Sequence, residues 1–214
     1  MIDFVKNNRV SLSIFVAWLF AVSGVMGLAV GFKDWFIPKT PLNLIVIALL
    51  LIVNYPIVRL KTYLAFFIAF FVGMLVEIAG VQTGVIFGEY YYGGNMGPKI
   101  LDVPYMIGVN WAVMSFVSAA ISARFLNSKA LVMVVGALLM VAFDLVLEQA
   151  ASVLDYWHWA GDVIPLRNYI AWFVVSLGLQ WMIHKLAPPE EFKYSLNLYV
   201  SQLIFLLFCT VWLT

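Results

Sequence analysis

LVMVVGALLMVAFDLVLEQAASVLDYWHWAGDVIPLRNYIAW, residues 131–172, decides the reading of this chain. It opens with an unbroken apolar run to Phe143, and the helix this run predicts, residues 129–150, has the length of a membrane span. Asp144 and Glu148 are four residues apart, so on that helix they project from one face. A carboxylate at such depth is costly to hold and therefore points to function. After Glu148 the helical period stops, and Asp155, Trp157, His158, Trp159 and Asp162 form an acidic, aromatic connection. Pro165 then precedes a new apolar helix, so these residues read as a polar lip at the membrane surface.

The rest of the chain is built to hold that stretch in lipid. Of its 214 residues 64% are hydrophobic and only 11% charged, far from the balance of soluble domains. Cys209, the one cysteine, lies in the last apolar segment, which excludes an internal disulfide framework and a cysteine-based metal site. A formal net charge of +1, with lysines and arginines scattered through loops, gives no electrostatic case for nucleic acid. The first apolar run, Ser11 to Phe32, exceeds the ~7 to 15 residues of a signal-peptide core and reads as a retained membrane helix.

Apolar runs separated by polar breaks predict seven transmembrane helices near 11–32, 41–58, 62–82, 103–124, 129–150, 167–187 and 195–214. The expected fold is an all-α, multi-pass helix bundle forming a single domain over residues 1–214, because no break is long enough for a second. Lys6, Arg9, Arg59, Lys61, Arg124, Lys129, Lys185 and Lys193 fall on one side, against Lys33, Lys39, Lys99 and Arg167 on the other. That bias favours a cytoplasmic N-terminus and an external C-terminus. On this assignment Asp34, Glu77, Glu89, Asp102, Asp144, Glu148, Asp155 and Asp162 gather at or near the outer side. At ~1.5 Å per residue, Glu77 and Asp144 both lie roughly 21 Å into a ~30 Å core, at one level. Ser23, Gly27 and Gly31, and likewise Ser118 and Ser122, recur every four residues and are assigned to close helix packing.

The loop QTGVIFGEYYYGGNMGPKILDVP, residues 82–104, is long for a connector and sets Glu89, Tyr90, Tyr91 and Tyr92 between glycines. Tyrosines at headgroup level form interfacial belts in many membrane proteins, but Glu89 among them, and Asn110 and Trp111 in the helix that follows, favour a lined cavity. A purely structural alternative pairs Asp144 and Glu148 with Asn110 or Arg167 to hold helices together. His158 reads as an interfacial residue and His184, near the cytoplasmic end, as structural. With two histidines and no usable cysteine, a zinc or di-iron cluster is not expected. Gly-rich phosphate loops, nucleophile elbows and metalloprotease helices are missing from the sequence. What remains is a set of carboxylic acids among aromatic rings. A carboxylic acid kept from water tends to stay neutral; it can protonate an alkene, aromatic faces can shield the resulting cation, and an ionised carboxylate can direct water onto it.

Five pieces in order, EIAGVQTG from Glu77, FGEYYY, VPYMIGVNW, FDLVLE with YWHW, and IPLRNYIAWF, resemble the membrane carotenoid biosynthesis family that includes carotenoid 1,2-hydratases and bisanhydrobacterioruberin hydratases. The resemblance implies a cofactor-independent addition of water across the terminal double bond of an acyclic carotenoid, giving a tertiary alcohol. The positions it implicates are Glu77, Glu89, Asp144 and Glu148 for catalysis, with Tyr90, Tyr92, Asn110, Trp111, Trp157, Trp159, Asn168 and Trp172 around the substrate. In the family pattern an acid near Glu148 is followed by proline; here Gln149 and Ala150 follow, so the helix is expected to run on.

The combined expectation is a hydratase of a prokaryotic plasma membrane, with lipid and an acyclic carotenoid as its partners, no metal and no cofactor. Asp144 is the first choice for the proton donor, with Glu148 or Glu77 positioning water. Two alternatives share the acids: an end-group cyclase or isomerase that discharges the cation without water, and a carotenoid-binding or proton-coupled protein that makes no product. The sequence assigns no oligomeric state.

Overall fold

The computed structural model describes residues 2–55 and 60–213, with side chains from Asn8 onward. The inner end of the second predicted segment, residues 56–58, and Arg59 lie outside the described residues, as do the side chains of Asp3 and Lys6. The chain forms α1 (Ile2–Ala29), a short α2 (Lys33–Phe36), α3 (Thr40–Asn54), α4 (Leu60–Thr83), α5 (Tyr105–Phe125), α6 (Lys129–Ala151), α7 (Leu166–Leu186) and α8 (Phe192–Leu213). The seven long helices correspond to the seven expected segments. Among the described residues six stretches are long and apolar enough to cross a membrane; α7 has the length, but Arg167, Asn168, Gln180, His184 and Lys185 dilute its hydropathy. The fold is an all-α polytopic bundle.

Each outer helix shows lipid a stripe of large apolar side chains at helical spacing. On α1 the exposed set is Leu12, Phe15, Leu19, Val22 and Met26, and on α4 it is Leu60, Leu64, Phe67, Phe71 and Leu75. The opposite face of α4 carries Ala65, Ala69, Gly73 and Glu77, all buried, so small residues bring α4 close to its neighbour just below the carboxylate. That neighbour is α5, the central helix, which packs against α3, α4, α6, α7 and α8. Its buried Ala112, Ser115, Ser118, Ala119 and Ser122 permit so many partners, because small side chains let backbones approach.

The spacing of Ser23, Gly27 and Gly31 does not act as one packing stripe. Gly27 receives the ring of Phe36, whereas Gly31 adopts φ +92° and turns the chain out of α1. In α6 the helix continues through Gln149 and Ala150 to Ala151, as the lack of proline there implies.

Sequence periodicity did not reveal two small antiparallel pairs on the acidic side. β1 (Tyr90–Tyr92) pairs with β4 (Trp157–Trp159) in the register Tyr90↔Trp159, Tyr91↔His158, Tyr92↔Trp157. β2 (Lys99–Ile100) pairs with β3 (Val103–Pro104), and the turn between them places Leu101 and Asp102 at φ 47° and 65°. The β1–β4 pair is locked at its edge: Gly93 N–H donates to Tyr156 O over 2.9 Å, Gly94 N–H to Asp155 Oδ2 over 2.7 Å, and His158 lies 2.9 Å from Asp155 Oδ1 while stacking on Tyr91.

Two expectations follow from these contacts. A Cβ on Gly73 would lie 2.6 Å from Cβ and Cγ of Trp111, so Gly73→Ala is expected to destabilise the protein by about 1–3 kcal/mol, seen as a lower thermal midpoint in detergent. The His158 hydrogen bond, then that from Gly94, hold the Asp155 carboxyl below the ordinary aspartate range. A depressed carboxyl pKa stabilises the fold above its unfolded value, and the contribution is lost as pH falls through the folded one. Below about pH 4 the β1–β4 clasp is therefore expected to open more often, raising hydrogen exchange at Gly93 and Gly94, corrected for intrinsic rate, relative to α5. Asp155→Asn should flatten that dependence.

Candidate active site

Three carboxyl groups meet at the acidic end of the bundle. Glu77 arrives from α4, and Asp144 and Glu148 from successive turns of α6. All three are buried, and each must find its hydrogen bonds within the protein.

Glu77 has three donors. Tyr90 and Tyr92 give their hydroxyls to Oε2 at 2.6 and 2.8 Å, and Trp111 Nε1 donates to Oε1 at 2.9 Å. Burial, then the adjacent Glu77 carboxylate, push both phenols well above the ordinary tyrosine range, which keeps them as donors. Glu148 also has three: Trp157 and Trp159 Nε1 reach Oε2 at 2.9 and 2.7 Å, and Asn168 Nδ2 reaches Oε1 at 3.0 Å. Asp144 receives only Asn168 Nδ2, on Oδ2 at 3.1 Å. Its Oδ1 is buried with no hydrogen-bond partner among the described residues.

The strand pairing explains why the donors converge. Side chains alternate along a strand, so Tyr90 and Tyr92 turn inward and Tyr91 outward, with Trp159 and Trp157 directly opposite the two inward tyrosines. The Tyr90 and Trp159 rings lie 5.0 Å apart. Deeper in, Trp111 and Trp172 stack with centroids 3.8 Å apart and planes 16° from parallel. Together with Phe87 and Ile107 the site residues line a small chamber of about 10 Å³, roughly the space of one water.

Among the expected site residues Glu77, Asp144, Glu148, Tyr90, Tyr92, Trp157, Trp159, Asn168 and Trp172 line this chamber, and Trp111 supports it through Glu77. Two stand elsewhere. Glu89 is exposed; one residue before β1, it shares the outward face of Tyr91, and its backbone oxygen accepts Ala160 N–H. The expectation that Glu89 joins the buried acids is corrected by that alternation. Asn110 lines a different space, one helical step around α5 from Trp111. The suggested pairing of the α6 acids with Asn110 or Arg167 is replaced by Asn168: Arg167 is exposed, and the next position on α7 faces inward.

The different space is a cavity of about 480 Å³ between α1, α3, α5, α6 and α8. Ile107 and Trp157 line both it and the chamber. Sequence reasoning did not single out Phe87, Ile107, Asn43 or Gln202. An amide within an apolar run signals the latter two, but Phe87 and Ile107 carry no mark that separates them from other core residues. Among the described residues no group of three or more His, Cys, Asp or Glu is arranged to hold a metal ion.

The profile of the family described as "Carotenoid biosynthesis protein" matches residues 39–214. A bisanhydrobacterioruberin hydratase of Haloarcula japonica is 25% identical over 194 residues, covering 80% of this chain and 62% of the relative, so the chain spans less than two thirds of that protein's length. No solved structure matches. The family match includes all three buried carboxylates and every donor to them, and this multi-pass membrane chain belongs to the carotenoid biosynthesis protein family.

Proposed function

We propose that the protein is a carotenoid-modifying enzyme that adds water to the terminal C=C of an acyclic carotenoid by acid catalysis, without a cofactor. The observation that carries this reading is the unequal supply of donors to the three acids. An ionised carboxylate only accepts hydrogen bonds, whereas a protonated one has an O–H to give. Glu77 and Glu148, with three donors each, are suited to the ionised form. Asp144, with one donor and a free Oδ1, is suited to carry the proton.

In this mechanism Asp144 Oδ1 gives its proton to the terminal alkene carbon and the π pair forms the new C–H bond, leaving a tertiary cation. The aromatic rings of Trp172, Trp159 and Tyr90, which line the chamber, stabilise that charge. Glu148 accepts a proton from water as the water oxygen bonds to the cation, and return of that proton to Asp144 resets the pair, with Asn168 holding both groups in place. The net change is alkene plus water to tertiary alcohol. The archaeal hydratase relative supports the reaction class and a prokaryotic plasma membrane as its location.

Asp144→Asn preserves shape and a hydrogen bond to Asn168 while removing the acid. With an acyclic carotenoid in membranes or detergent, kcat is expected to fall about 10²- to 10⁴-fold with the protein still folded. Turnover at the parent rate would remove Asp144 from the acid role.

A further inference from the structure

The chamber at the acids measures only about 10 Å³, so most of any isoprenoid substrate must lie elsewhere. The cavity of about 480 Å³ has the volume of a ligand pocket, for which ~300–1,000 Å³ is usual. Its lining is mainly apolar, with flat ring faces from Phe20, Trp35, Phe143 and Phe205. Its lining reaches the surface at Leu19 of α1 and Leu42 of α3, each about half exposed at 50% and 51%, and at Trp35 and Lys39 in the connection between those helices; the two leucines, exposed on membrane-spanning helices, give a chain in the bilayer a way in. At the other end Ile107 and Trp157 are shared with the chamber, which places a chain lying in the cavity next to the carboxylates.

Ser23, Lys39, Thr40, Tyr156 and Gln202 add polar groups to this lining, but the two asparagines in it stand apart because each keeps a buried atom without a partner among the described residues. Asn110 is only 5% exposed, and its Nδ2 has no hydrogen-bond partner among the described residues. Asn43 Nδ2 reaches Gln202 Oε1 at 3.4 Å, while its Oδ1 is buried and without a partner among the described residues. Buried amides left unanswered weaken a fold, and both residues line the one cavity.

We propose that this cavity is a ligand site separate from the acid chamber, that it takes the chain of an isoprenoid sideways from the bilayer, and that the Asn110 amide binds an oxygen carried on that chain. The assignment of an isoprenoid rests on the hydration reading above; the site itself rests on the cavity and its unanswered amide. A phospholipid acyl chain is equally apolar but carries no oxygen along its methylenes to meet Asn110. The preferred ligand is accordingly an oxygenated chain over a pure hydrocarbon.

The purified protein in lipid nanodiscs is titrated with lycopene and with an acyclic carotenoid of equal length bearing one hydroxyl, following the circular dichroism a polyene acquires in its visible band when held in a chiral site. Both are expected to bind, the alcohol about two- to tenfold more tightly, the range of one hydrogen bond, and Asn110→Leu should erase that preference. Ser23→Phe fills the interior and Leu42→Trp closes the lipid-side mouth, the latter at an exposed position where folding is not at stake. Each should weaken both ligands by about tenfold or more, the equivalent of roughly one side chain of buried apolar contact.

No induced signal from either pigment, no effect of either blocking variant, equal affinity for alcohol and hydrocarbon, or displacement of both pigments by added phospholipid would each overturn the proposal. Parent protein that binds both pigments but converts neither upholds this site and sinks the hydration reading. Protein that forms the alcohol with Ser23→Phe and Leu42→Trp indistinguishable from the parent does the reverse.

Discussion

One amide holds the site together. Asn168 of α7 donates one N–H to Asp144 and the other to Glu148, bridging two carboxyl groups on successive turns of α6. In hydrocarbon there is no bulk water to satisfy such groups, and two acids that close would repel if both ionised. The amide fixes the separation of α6 and α7 at the acidic end and leaves one carboxyl oxygen, Asp144 Oδ1, unclaimed. The proposed chemistry depends on that remainder.

Apart from Trp111 of α5, which donates to Glu77, the other donors come from segments outside the helices, which is why the bundle needs its small sheet. Glu148 and Glu77 receive their indole and phenol donors from β4 and β1, and the pairing of these strands sets Tyr90 against Trp159 and Tyr92 against Trp157. A shift of one residue in that register would turn Tyr91 and His158 inward and leave both glutamates short of donors. The Asp155–His158–Gly94 contacts hold the register from outside. Loop chemistry at the membrane surface thus controls the hydrogen bonding of acids buried below it, and the same Trp157 that donates to Glu148 forms part of the wall of the large cavity.

The helices and the level of the acids were legible in the sequence because lipid imposes a simple rule: long apolar runs cross, and charges within them gather. Glu77 and Asp144 were expected at one depth, and they line one chamber. Position by position the reading was weaker where a single residue step decides direction. Glu89 faces out and Tyr90 in; Arg167 is exposed and Asn168 buried; Asn110 faces the large cavity and Trp111 the acids. Apolar residues surround each of these positions, so periodicity could not choose between neighbours. The strand pairing brings together residues more than 60 positions apart, and strands of three residues leave no pattern of their own to read. The large cavity was equally hidden, since it arises from how α1, α3 and α8 lean together.

The most direct test of the central claim is to incubate the protein with lycopene in water enriched in the heavy oxygen isotope and to weigh the extracted pigment. The account predicts a product heavier than its substrate by one molecule of water for each end that reacts, with the heavy isotope in the new hydroxyl and the yield collapsing in Asp144→Asn. A product of unchanged mass, or an alcohol whose oxygen carries no label, would contradict hydration at these carboxylates.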